Sequence, residues 1–239
     1  MMSRLRLFCT TFILVACSNA YAANKGFLDF NLYPYLSDVD NDSVFTINAA
    51  AKFSPRWSYF SLTNFSNNES YEALEETAGY YTEQNLRYHL WGHSAFDATL
   101  QWNLRSGTED DRLRLGVRWR LQDSAFWQDW FKWAHLSYTL NVHFLQLDHS
   151  DDSVWQMEHA FFWRAPGKLV DRVYVSGFID HTFGETLADE MPSNPIVAEV
   201  QLGYRFYQQF YFVYEYRINE YRRSNVNNAA LGLEYKFLF

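Results

Sequence analysis

Only two cysteines occur in the 239 residues, Cys9 and Cys17, and both fall near the start of the chain. Arg4 and Arg6 precede a short apolar run over residues 7–16, too short to span a bilayer but suited to an export signal. Ala20, Tyr21 and Ala22 follow as an A-x-A cleavage site, so residues 1–22 read as a cleaved signal peptide and 23–239 as the mature chain. Leu14, Val15, Ala16 and Cys17 offer a rival, a lipoprotein signal with Cys17 acylated. With cleavage after Ala22 both thiols leave, which excludes disulfides, thiol redox chemistry and cysteine metal sites. Long apolar runs are missing as well. No stretch after the signal reaches the ~18 residues of a membrane helix, and the mean hydropathy is −0.34. Positive charge is scarce: without Arg4 and Arg6 the 20 basic residues become 18, against 28 acidic ones. That balance excludes nucleic acid as an expected partner.

Aromatic residues, by contrast, make up 20% of the chain, a share that interfacial girdles of Trp and Tyr explain. Over residues 229–239 Leu231, Leu233, Tyr235, Phe237 and Phe239 alternate with Gly232, Glu234 and Lys236. This is the period of a strand with lipid on one side and water on the other. Twelve such segments follow one another: 27–36, 44–53, 57–65, 80–91, 96–105, 112–121, 136–148, 154–164, 172–183, 196–207, 210–221 and 229–239. Each has close to the ~9 to 11 residues that a tilted membrane strand needs, and the number is even. The expected fold is therefore all-β, one transmembrane antiparallel barrel of twelve strands over 23–239, with both ends in the periplasm and the last strand closing on the first. Polar, mostly acidic connections at 37–42, 67–76, 106–111, 150–153 and 184–195 then fall outside, and mainly short turns fall inside. One inner connection, 122–134, carries Phe126, Trp127, Trp130, Phe131 and Trp133 at helical spacing. It reads as a helical turn at the membrane surface, serving as girdle or as a partner patch.

Function is sought on the inner face. Leu113, Leu115, Val117, Trp119 and Leu121 claim the lipid side of the sixth strand, which turns Arg112, Arg114, Arg118 and Arg120 inward. An arginine facing lipid at the midplane costs ~2 to 4 kcal/mol. The same rule sends inward Glu215 and Arg217, Glu234 and Lys236, Glu199 and Arg205, Glu158 and Arg164, Asp29 and Asn31, and Tyr174, Ser176, Phe178 and Asp180. Such a lumen is either a salt-bridged filling or a narrow polar path. Glu215 and Glu234 are the expected counter-charges of the arginine ladder, and a balanced set implies weak ion selectivity.

Catalytic signals are weak. His149, Ser150 and Asp151 invite comparison with outer-membrane phospholipases, but adjacent strand positions point to opposite faces and the spacing of that pattern differs. His89, His143, His159 and His181 lack metal-ligand spacing, and the acidic groups at 38–42 and 109–111 read as solvated loops. No catalytic residue, metal or cofactor is expected.

Trp155, then Phe162-Trp163-Arg164-Ala165-Pro166, then Ser176-Gly177-Phe178-Ile179-Asp180-His181-Thr182-Phe183-Gly184 resemble the Tsx-like nucleoside-specific channel-forming outer-membrane proteins. The resemblance covers roughly residues 112–239. It implies a monomeric twelve-stranded barrel that passes nucleosides, with Phe178 and Asp180 as the positions that carry over. The expected partners are outer-membrane lipid and lipopolysaccharide, the barrel assembly machinery through Phe239, and a small polar solute. A structural or phage- or ligand-recognising surface barrel is the alternative.

Overall fold

A computed structural model describes residues 25–36, 43–67, 77–92, 94–106, 111–147, 154–170, 172–185, 187, 191–223 and 225–239. The expected signal peptide, His149 to Asp151 and most of the acidic outer connections lie outside the described residues.

Twelve strands run in order: β1 (Gly26–Leu36), β2 (Ser43–Lys52), β3 (Trp57–Asn67), β4 (Thr77–His89), β5 (Phe96–Arg105), β6 (Arg112–Arg120), β7 (Leu136–Leu147), β8 (Trp155–Arg164), β9 (Val173–Phe183), β10 (Ile196–Tyr207), β11 (Phe210–Asn219) and β12 (Asn227–Leu238). Each pairs antiparallel with its sequence neighbours, and β1 pairs with β12, so the sheet closes on itself. The closing seam runs from Phe27 opposite Leu238 to Leu36 opposite Ala230, and Gly26 and Phe239 exchange backbone hydrogen bonds of 2.8 and 3.1 Å beyond its Phe27 end. Register shifts between Leu32 and Tyr35, where Pro34 has no N–H to give the ladder. The segments read from the sequence and the observed strands differ only at their ends. β11 stops at Asn219 because the chain turns there: the Asn219 carbonyl accepts from Arg222 N–H and its Oδ1 from Tyr221 N–H.

Burial is inverted relative to a water-soluble domain. Among the described residues the side chains under 2% exposed include His143, Gln101, Glu215, Glu234, Asn31, Asn85, Asn103, Asn141 and Asp97, whereas Leu231, Leu233, Phe212 and Phe144 are more than 40% exposed. The apolar outer face is the one that meets lipid, and the polar groups have turned inward, where many bond one another. Aromatic pairs lie along the outer wall, among them Phe96 on Trp119 and Trp57 on Tyr88.

The aromatic inner connection folds as a 3₁₀ turn (Leu121–Asp123) and a short helix, α1 (Gln128–Trp133). Phe131 is buried, while Phe126 and Trp133 are 84% and 78% exposed. The connection lies against the outer side of the wall rather than under the lumen: the indole N–H of Trp119, on the lipid face of β6, donates to Ser124 Oγ at 2.6 Å, and no residue of 121–135 lines the interior cavity. Trp119→Phe keeps the stacked ring and removes this hydrogen bond. It is expected to lower unfolding stability in detergent by about 1 kcal/mol while the folded barrel still migrates ahead of its heat-denatured form on gels.

Candidate functional site in the barrel lumen

The barrel encloses a cavity of about 2050 Å³. It reaches from Arg172, Gln208 and Gln209, at the rim that carries Gly26 and Phe239, to Ser106, Glu185 and Asn225 at the opposite rim. The rim with the chain ends and the short turns is the periplasmic one.

On one wall, β4 to β8, the register builds a row of charge. His89 and Arg118 stand opposite Asp97 on either side. Arg118 donates from Nε and Nη2 to Asp97 Oδ2 at 2.9 and 2.5 Å, Arg120 donates to the other carboxylate oxygen and to Asp123 at 2.5 Å, and His89 Nδ1 lies 3.2 Å from Asp97. One buried carboxylate thus holds two guanidiniums. Further out, Arg114 lies between its cross-strand neighbours and donates to Gln101 at 2.9 Å and Gln146 at 2.7 Å. Beside it Asn141, His143 and Glu158 form a compact set, with His143 Nε2 3.5 Å from the carboxylate. Asp180 stands opposite Glu158 and, like Phe178, lines the cavity.

The facing wall, β9 to β12 with β1, holds a second network. Tyr33 bonds Glu215, which also pairs with Arg217, and Arg217 reaches Glu199 at 3.6 Å. Gln201 donates to Asn31 at 3.0 Å and to Tyr33 at 3.1 Å. The Tyr174 hydroxyl lies 2.6 Å from Glu234 and 2.9 Å from Gln201, and Lys236 pairs with Glu234 at 2.9 Å while sitting 3.7 Å over the Tyr174 ring. Tyr174 lies flat because its cross-strand partner is Gly203; a Cβ there would overlap the ring. Gly232 makes the same room for Tyr33.

This arrangement corrects the expected counter-charges. Glu215 and Glu234 do not neutralise the arginine ladder: β6 and β12 lie on opposite sides of the closed sheet, so each carboxylate meets the cation of its own strand, Arg217 or Lys236, while Asp97, Asp123 and Glu185 serve the ladder. Tyr174, at 4% exposure, offers no free face for stacking. Asp97, like Tyr33, Gln201 and Tyr221, is a site residue that the sequence reading does not single out, although the alternation of Asp97 with Thr99, Gln101 and Asn103 along β5 places it on the polar face.

Across the outer mouth runs a strut. Arg112, at the outer end of β6, donates to Glu185 Oε1 at 2.7 Å, and Tyr221, just past β11, donates to Glu185 Oε2 at 2.6 Å. Burial, and then the bond to Glu185, push the Tyr221 phenol up to about 12, so it stays a donor at any working pH.

Asp97→Asn leaves the half-buried Arg118 without a carboxylate and Arg120 with Asp123 alone, and is expected to cost about 3 kcal/mol, read from denaturant unfolding of the refolded barrel. Glu185→Ala removes the strut without touching the wall, and single-channel conductance in planar bilayers is expected to rise with folding unchanged.

No family model, that of the nucleoside channels included, and no curated protein matches the chain. Solved structures do. The NanC porin is 8% identical, with 90% of this chain and 100% of that one covered and a TM-score of 0.53. The KdgM porin is 13% identical, covering 88% of this chain and 99% of that one at a TM-score of 0.51; its complex with disordered oligogalacturonate gives 0.50. At these identities the likeness is one of fold, and the fold is that of a bacterial outer-membrane β-barrel.

Proposed function

We propose that the protein is an outer-membrane channel for small polar solutes that prefers anions. One observation carries this reading: the chain is acidic overall, at −8, yet among the described residues eleven arginines and lysines against six aspartates and glutamates line a cavity that reaches both rims. The buried carboxylates behind the lining, Asp97, Glu215 and Glu234, with the half-buried Arg120, leave the surplus positive. Charge lining a narrow path sets its selectivity, because low-dielectric walls focus the field along the lumen. Arginine keeps its charge at every accessible pH, so the preference persists across the working range.

Phe178 on the cavity wall, with Asp180 one step along the same face, favours a solute that presents a ring as well as polar groups. Nucleosides, implied by the resemblance of the eighth and ninth strands, meet that description but carry no charge for the surplus to act on. Ring-shaped acids such as sugar acids use both features, and oligogalacturonate, named in the KdgM complex, belongs to this class.

In planar bilayers under a potassium chloride gradient, the reversal potential is expected on the anion-selective side. Arg114→Gln with Arg118→Gln should move it toward cations. In liposomes, galacturonate should enter faster than adenosine. A cation-selective wild type, or a double variant with unchanged selectivity, removes the basis of this reading, and a tight barrier to both solutes leaves a surface-recognition barrel instead.

A further inference from the structure

Of the lumen arginines, Arg112, Arg114, Arg118 and Arg217 are each held by a carboxylate or an amide. Among the described residues Arg87, over the Phe60 ring, and three arginines at one rim are not. Arg164 ends β8, Arg172 immediately precedes β9 and Arg205 lies near the end of β10. All three line the cavity at the periplasmic rim. Among the described residues none of them forms an ion pair or a side-chain hydrogen bond; Arg164 only lies 5.3 Å over the Phe162 ring.

Their placement is dictated by register. The Arg205 N–H donates to the Arg172 carbonyl at 2.7 Å, which makes the two residues direct cross-strand neighbours. Arg164 stands opposite Tyr174, two residues on from Arg172, and so completes a diagonal on the same face. Like charges directly opposite one another destabilise a sheet, and guanidiniums cannot shed the charge. Arg205 is followed by the uncharged turn of Gln208 and Gln209, and the ring adjoining Arg164, Phe162, stacks on Tyr174 at 5.6 Å. Because all three side chains line the lumen, the phosphates of the surrounding leaflet do not serve them.

We propose that Arg164, Arg172 and Arg205 form a docking station for oligoanions at the periplasmic end of the lumen. Its ligand is a molecule with two or more carboxylate or phosphate groups, held by guanidinium forks that match such groups bidentately, with ring-shaped units resting against Phe162. The proposal deepens the channel reading by placing the strongest anion site at one end of the path. A permeating acid would then pause at the inner mouth, and an oligoanion too large to pass would block from the periplasmic side.

The test uses the full chain refolded in detergent and in planar bilayers, with trigalacturonate and tripolyphosphate as probes. Calorimetric titration should show binding that weakens steeply with salt, and Arg164→Gln, Arg172→Gln and Arg205→Gln together should weaken it at least about tenfold, roughly 1.4 kcal/mol. Lys132→Gln on α1, outside the lumen, should leave it unchanged, and heat-modifiable migration verifies that each variant folds. The triple lysine variant keeps the charge and loses the fork, and should bind weakly in between. In bilayers both probes should block current at lower concentration from the periplasmic side. Binding that the triple glutamine variant leaves within twofold, or block that is equal from both sides, overturns the station. Anion-selective current together with unchanged binding in the triple variant refutes the station alone. Arginine-dependent binding without any current supports the station and refutes the channel.

Discussion

Hydrocarbon offers a backbone no hydrogen-bond partner, so every peptide group that crosses it must be satisfied within the protein. This requirement governs the rest of the molecule. A sheet meets it only by closing, and here closure depends on β1 and β12, whose pairing joins the two ends of the described chain from Phe27 and Leu238 onward. The accommodations along that seam serve the same end: Pro34 sits where the register slips and the ladder makes no demand on its nitrogen, and Gly232 lets the Tyr33 ring lie flat against the wall.

Once the sheet is closed, the lumen inherits the role of a core, but one built from the polar half of each strand. Burying charge is costly unless partners are at hand, and the register supplies them locally. Asp97 lies between His89 and Arg118, Glu199 stands opposite Arg217, and Asp29 opposite Lys236. The result is two networks on facing walls with a cavity between them. This division answers whether the charges fill the barrel or line it. Among the described residues they pair along the walls, around a cavity of about 2050 Å³.

The lumen opposes the chain in sign. Local pairing leaves cations in surplus where the wall faces the cavity, as at the rim formed by Arg164, Arg172 and Arg205. At the outer mouth the arrangement differs: Arg112 is tied through Glu185 to Tyr221 from the far side of the barrel. The two ends of the path are thus chemically unlike, one bridged and the other bare.

Alternation by itself determined the architecture. The period of two in segments such as 112–121 and 229–239, where an arginine or a glutamate on the lipid side would be prohibitively costly, decided which residues face in, and the count of such segments decided that the sheet closes. Inward direction for Arg114, Phe178 or Glu234 needed no coordinates. Partner choice was beyond the sequence, because facing inward does not say across which interface a side chain reaches. Stagger between strands and position around the ring decide that. They gave Asp97, rather than Glu215 or Glu234, to Arg118 and Arg120, they laid Tyr174 over Gly203 beneath Lys236, and among the described residues they left the Arg172 and Arg205 pair without a carboxylate. A contact between charges depends on a few ångströms across the lumen, and only the closed sheet fixes those distances.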